Sequence, residues 1–294
     1  MSLAYDSNLI TRDYFDSLLL ETRYIDSDIP STKTTIFGKE YSMPIATAAL
    51  SHLHNVCENG MSEFALGAKN AGALCFIGMG ENEDLENMVK TGADIVRIIK
   101  PLEKNEDVLT KINHAIGCGA VGVGMDIDHA YSGSGTYDNV YGLKMKSKSF
   151  DEMKEFVSSS SVPFVVKGVL SVSDALKAAD MGASAIIVSH HHGLMPYSVP
   201  PLMILPEIAK AVEGRMTIFA DCGIKSGMDA FKALALGADA VCVGRDLMES
   251  LKEKASGVTC RMNELNNELK SIMARTGFHS VDEIDSSVIH KRTF

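Results

Sequence analysis

No apolar run in this 294-residue chain approaches the roughly 20 residues needed to cross a bilayer. The opening MSLAYDSNLI lacks a basic segment followed by an apolar core, so a secretory signal is not expected and a cytoplasmic location is. Blocks of like charge are missing too. The net charge of -10 is spread along the chain, which argues against nucleic acid as a default partner and leaves a small molecule. An anionic ligand is still allowed, because a local field can oppose the net charge. Among the six cysteines there is no Cys-x-x-Cys pair, and Cys75 and Cys242 sit inside apolar runs. Reduced cysteines acting mostly as small hydrophobes are therefore expected.

What the chain does contain is a recurring phrase: Gly-Ala followed by an apolar run. It appears in NAGALCFIG, TGADIVRIIK, GCGAVGVGMDID, MGASAIIVSHH and LGADAVCVGRD. Each reads as a helix ending in a glycine able to take positive φ, with a strand at once behind it. Strands buried on both faces read as continuous apolar runs. Eight such runs begin at Met43, Ala73, Asp94, Ala120, Val162, Ala185, Met216 and Ala240, separated by helix-like segments. Alternating strand and helix implies a parallel sheet. Eight units within about 200–250 residues imply a closed (β/α)8 barrel, with a doubly wound open sheet as the alternative.

Two parts fall outside the barrel. Residues 1–40 form an N-terminal arm, whose structured portion is expected in RDYFDSLLLETRYID, and 257–294 hold a C-terminal helix and tail. The whole is expected to be one domain. The longest irregular stretch, DHAYSGSGTYDNVYGLKMKS, follows strand 4 and is either a lid over the site or a plain surface loop.

Polar residues at the C-terminal ends of barrel strands face one cavity. Here they are Lys100, Asp126, Asp128, Lys167, Ser189 to His192, Asp221 and Arg245. Strands 7 and 8 end in DCGIKSG and VGRD, where glycines admit an anion closely and Lys225 and Arg245 add positive charge. The helix beginning near Ser226 is expected to offer free N–H groups, so this end of the cavity suits a phosphate. Lys167, preceded by apolar residues, is expected to be buried and to need an anionic partner.

The run VVKGVLSVSDALKAADMGASAIIVSHHHG, then VPPLMILPEI and IFADCGIKSGMDAFKALALGADAVCVGRDLM, resembles the FMN-dependent 2-hydroxy acid oxidoreductases, the family of glycolate and lactate oxidases. IDSDIPSTKTTIFGKEYSMPIATAAL resembles their entry into strand 1, and the resemblance extends over about Phe15 to Gly277. It implies FMN, hydride transfer from a substrate α-carbon to flavin N5, and a homotetramer. It implies His191 as the catalytic base, oriented by Asp126, with Lys167 near flavin N1. The phosphate falls to Gly223, Lys225, Gly244 and Arg245, and Lys100 takes the place of a glutamine touching the flavin ring. Ala48, Gly78, Ser189 and Asp221 complete the implied cofactor set.

The departures are equally specific. Leu194 stands where the family places a substrate-clamping arginine. A second family arginine has no counterpart in DHAYSGSG, and the segment supplying a substrate tyrosine is not matched. An altered substrate is therefore expected. An FMN-dependent isomerase of the type-2 isopentenyl diphosphate kind, or a flavin binder without turnover, are the alternatives. His190 and His192 flank the base on what reads as extended chain, where neighbours point opposite ways. When protonated they would partly replace the lost arginine, or else they have no role. Three consecutive histidines do not converge easily on one ion even with Asp126, Asp128 or His129, so no metal is assigned.

Overall fold

The computed structural model describes residues 6–293. Eight parallel strands close into a barrel: β1 Ile45–Leu50, β2 Cys75–Ile77, β3 Ile95–Ile99, β4 Gly122–Asp126, β5 Phe164–Val169, β6 Ala185–Val188, β7 Thr217–Ala220 and β8 Ala240–Val243. Closure is made by β8 against β1, in the register Val241↔Ile45, Cys242↔Ala46 and Val243↔Thr47. Every expected apolar run became a strand, and the open-sheet alternative is set aside.

Inside the barrel, Phe76 and Phe219 meet edge to face with ring centroids 5.0 Å apart, and Phe37 closes on Phe219 from a hairpin of Thr34–Ile36 and Lys39–Tyr41. That hairpin plugs the N-terminal end. The C-terminal end is left for chemistry. Side-chain volume is tightly rationed in the wall. A Cβ on Gly124 would sit 2.2 Å from the Val165 carbonyl oxygen, so only glycine lets β4 lie against β5 there.

The helices are α1 Ser7–Asp16, α2 Gly60–Asn70, α3 Asn82–Lys90, α4 Asn105–Cys118, α5 Phe150–Ser159, α6 Val172–Asp180, α7 Pro201–Val212, α8 Gly227–Ala235, α9 Arg245–Ser250 and α10 Lys254–Thr276. Glycines of the recurring phrase do take positive φ, +96° at Gly119 and +106° at Gly237. The long C-terminal helix starts at Lys254, slightly earlier than expected, and buries Val258, Met262, Leu265 and Leu269 against α2 and α8. None of the described helices is long and apolar enough to cross a membrane.

The N-terminal arm is ordered earlier than its sequence suggested. α1 starts at Ser7 because Asp6 caps it, accepting from the Asn8 N–H at 2.8 Å. Leu18–Leu20 then pairs antiparallel with Ile289–Lys291 near the other terminus. The stretch after β4 folds into a small hairpin of Asn139–Val140 and Leu143–Lys144, and the Tyr141 ring rests on His52, 4.8 Å away, beyond β1.

Candidate active site

A cavity of about 610 Å³ opens at the C-terminal mouth of the barrel. Ala48, Ala49 and Leu50 of β1 form an apolar wall, and Lys167, His191, Asp221, Gly223, Lys225, Gly244 and Arg245 are among the other lining residues, with α1 as one side and the carboxylates of Asp246 and Glu249 also at the rim. Seven of the cofactor residues expected from sequence therefore face one space. Gly78, Lys100 and Ser189 do not. A Cβ on Gly78 would meet Ser51 Oγ at 2.4 Å and the Ala49 carbonyl oxygen at 2.7 Å, so that glycine lets the chain leaving β2 lie close against the end of β1. Ser189 Oγ accepts from the His191 N–H at 3.1 Å and holds the β6 turn. Lys100 lines a neighbouring cavity of about 440 Å³ beside Arg97 and Tyr141.

The floor of the mouth is a charged cluster. Asp126 is buried with one oxygen on Lys100 Nζ at 2.5 Å and the other on Lys167 Nζ at 3.0 Å. Burial would raise its pKa, but Lys167, His191 and Lys100 together hold it well below the usual carboxylate range. Burial would likewise lower the Lys167 pKa, but Asp126, Asp128 and Asp221 raise it, so both partners stay charged. The anion that Lys167 needs is thus supplied by the protein itself.

His191 Nδ1 lies 2.8 Å from Asp128 Oδ1 and 3.3 Å from Asp126 Oδ1. The orienting carboxylate nearest the imidazole is therefore Asp128, which the residue-by-residue resemblance passed over in favour of Asp126. Asp128 itself is pushed up, by burial and by the neighbouring Asp126 charge, and its Oδ2 has no partner among the described residues. His191 is raised above the ordinary histidine value: burial lowers it, and hydrogen bonding to Asp126 and Asp128 more than offsets that. The carboxylates occupy Nδ1, which leaves Nε2 on the opposite side of the ring. His129 packs its ring 5.1 Å from that of His191.

The other two histidines turn elsewhere. β6 ends at Val188, and His191, His192 and Gly193 all adopt left-handed backbone, with φ of +48°, +59° and +77°. The extended-chain argument for their directions therefore fails. His190 Nδ1 accepts from the Gly193 N–H at 2.9 Å, so Nε2 carries the proton and donates to Thr11 Oγ1 at 2.8 Å. His192 joins Asn8 Oδ1 on one side and Arg245 Nη1, 2.6 Å away, on the other. Burial lowers the pKa of both rings. Neither is arranged as a protonated substitute for the missing arginine.

The phosphate end needs one correction. The N-terminus of α8 is not free: Ser226 Oγ accepts from the Asp229 N–H, Glu268 Oε2 from the Gly227 N–H at 2.6 Å, and Asp229 Oδ2 from the Lys225 N–H. Positive charge there comes from side chains. Besides Lys225 and Arg245, Arg12 of α1 lines the cavity, paired with Asp229 at 3.0 Å. Arg12 lies in the portion of the arm expected to be structured, but its place at the cavity was not foreseen; Asp6 as an N-cap was the available signal for the helix's earlier start. Leu194, on the turn after β6, is 48% exposed and brings no donor. The Cys222 thiol at the cavity edge is pushed up to about 11 by burial, which makes it a poor nucleophile.

The sequence profile of the FMN-dependent dehydrogenases matches residues 7–150 and 136–291. Among curated proteins, a 2-hydroxyacid oxidase of Dictyostelium discoideum is 28% identical, covering 98% of this chain and 82% of that one. An L-lactate oxidase of Lactobacillus jensenii is 30% identical over 90% of this chain and 72% of its own length. Among solved structures, a mandelate oxidase variant with a monooxide FMN adduct superimposes with a TM-score of 0.89 at 27% identity, covering 98% of this chain and 92% of that one.

Proposed function

This chain belongs to the FMN-dependent dehydrogenase family, and on that premise we propose how its own residues divide the work of oxidising a 2-hydroxy acid. It is an FMN-dependent oxidoreductase related to the 2-hydroxy acid oxidases. The mouth cavity suits the cofactor: its size lies within the range of small-molecule sites, about 300–1,000 Å³. The glycine at 244 matters here, since a Cβ would project to within 3.2 Å of the Ala48 Cβ and crowd the cavity wall at the end of β8. Gly223, Lys225, Gly244 and Arg245 would hold the phosphate, with Arg12 adding charge. Ala48 and Asp221 would flank the rest, and Lys167 would set a positive charge beside the ring system.

Bound FMN supplies the acceptor for the two electrons that leave the substrate α-carbon. His191 Nε2 takes the substrate hydroxyl proton, while Nδ1 stays protonated toward Asp128 and Asp126. The single observation that carries this reading is the pair of carboxylates on His191 Nδ1, at 2.8 and 3.3 Å, at the wall of a cation-lined cavity. A carboxylate behind an imidazole fixes its tautomer and stabilises the cation formed on proton abstraction.

The substrate differs from the small 2-hydroxy acids. Leu194 has no group to pair with a carboxylate, and Lys100 is already tied to Asp126. A charge-assisted hydrogen bond is worth roughly 1.5–3 kcal/mol, so its loss costs about one to two decades in kcat/KM at about 1.4 kcal/mol per tenfold. Anaerobic flavin reduction by glycolate, lactate and mandelate tests the reading in the native protein, His191→Ala and Leu194→Arg. Slow reduction of the native protein, abolished by His191→Ala and accelerated by Leu194→Arg, is expected. Fast reduction by lactate would end the altered-substrate claim, and reduction indifferent to His191→Ala would end the base assignment.

A further inference from the structure

On the outer face of the barrel, α3 and α4 lie side by side, well away from the flavin cavity. His114 and Cys118 are four residues apart on α4, a spacing that puts them on one helical face. Glu86 of α3 faces them. His114 Nε2 is 3.1 Å from Glu86 Oε1 and 3.5 Å from Cys118 Sγ, and the three ligand atoms all lie within 4.8 Å of one another.

We propose that Glu86, His114 and Cys118 form a binding site for a thiophilic divalent cation, zinc above all. In tetrahedral zinc sites the bonds are about 2.0–2.2 Å to nitrogen or oxygen and about 2.3 Å to sulfur, so the edges between ligand atoms come to roughly 3.3–3.6 Å. The two edges measured to His114 Nε2 approach those lengths, but Cys118 Sγ is also 3.8 Å from Nδ1, beside the ring, so the imidazole must turn to aim Nε2 between Glu86 and Cys118. Closing the remaining edge, Glu86 to Cys118, takes a swing of the glutamate, whose side chain is 46% exposed. Cys118 is the last residue of α4, where the carbonyl end of the helix dipole favours a cation.

The ligand chemistry chooses the metal. A thiolate with an imidazole selects zinc or cobalt over magnesium or calcium, and three protein ligands leave a fourth position for water. Binding takes the proton from the Cys118 thiol and joins α3 to α4 across their packing seam. The other His–carboxylate cluster, at the barrel mouth, makes an instructive contrast. There Asp126 already spends both oxygens on Lys100 and Lys167. Glu86 pairs with His114 and, among the described residues, with no lysine or arginine.

The test uses the chelator-treated holoprotein titrated with cobalt(II) chloride, read in the red region beyond flavin absorption, where tetrahedral cobalt absorbs strongly. One equivalent per chain should give the band, and zinc chloride should displace it. Cys118→Ser and His114→Ala should each weaken cobalt binding by at least about tenfold, since even outer ligand partners are worth that much. Glu86→Gln, on the exposed side of the cluster, keeps the test valid should either helix variant fold poorly, and it should weaken binding in the same sense. Cys260→Ser, at the exposed thiol of α10, should leave the band unchanged. Zinc should also raise the melting temperature of the native protein but not of Cys118→Ser. A native protein without the red band, or a band that survives Cys118→Ser and Glu86→Gln, would overturn the assignment.

Discussion

Asp128→Asn separates the two carboxylates that share His191. Asparagine keeps an oxygen to accept from Nδ1–H, which holds the ring in place across the 2.8 Å contact, but it removes the charge. A hydrogen bond to a charged group is worth about 1.5–3 kcal/mol and a neutral one about 0.5–1.5 kcal/mol. The difference, about 1–1.5 kcal/mol, equals roughly one pKa unit at 1.36 kcal/mol per unit. His191 stands above the ordinary histidine value through Asp126 and Asp128, so the variant's His191 should titrate lower by about that unit. The sign follows from its role. A base must be neutral before it acts, so kcat/KM for flavin reduction falls as pH drops through the His191 pKa. Lowering that pKa moves the acid limb to lower pH. The plateau should fall by about tenfold, because the imidazolium formed during reaction has lost a counter-charge. Stability has its own sign. A raised histidine pKa contributes fully below the unfolded value of about 6.5 and is lost as pH rises through the folded value. The stability deficit of Asp128→Asn should therefore be present at acidic pH and shrink above neutrality. Stopped-flow reduction by lactate across pH, with chemical denaturation at each end of the range, measures both. An acid limb that does not move would mean that Asp126, at 3.3 Å, serves His191 alone.

Lys167→Met should lower the flavin reduction potential by roughly 30–60 mV, taking one charge-assisted contact at about 30 mV per 1.4 kcal/mol for a two-electron couple. It should also weaken sulfite addition; an unchanged potential would leave Lys167 as a partner of Asp126 and nothing more. Asn8→Ala frees His192, and through it Arg245, so FMN titration of the apoprotein should show binding about 2- to 10-fold weaker, with unaltered affinity excluding any part for α1 in holding the cofactor. Gly124→Ala drives a Cβ into the Val165 carbonyl, and thermal unfolding should occur roughly 5 °C or more lower, whereas an unchanged transition would mean that the β4–β5 seam can widen without cost.

The barrel was legible because its signals are local. A glycine that ends a helix and an apolar run that follows it are neighbours in the chain; the positive φ follows from local sterics, and the run itself announces a strand covered on both faces. The same holds for residues at strand ends. Once Lys167, Asp221 and Arg245 close their strands, barrel geometry alone sends them to one mouth, and all three line the cavity.

What the chain order could not convey is which of those groups pair. His190 finds Thr11, His192 finds Asn8 and Gly227 finds Glu268, partners separated by 179, 184 and 41 residues. His191 settles nearest Asp128 because the chain leaves β6 in left-handed backbone, a choice no periodicity announces. Glu86 meets His114 and Cys118 only because α3 packs on α4. Secondary structure and the direction of the mouth follow from near-neighbour sterics and burial. Hydrogen-bond partners, charge states and the closing of the α8 terminus depend on distances across the fold, so only the assembled tertiary structure decides them.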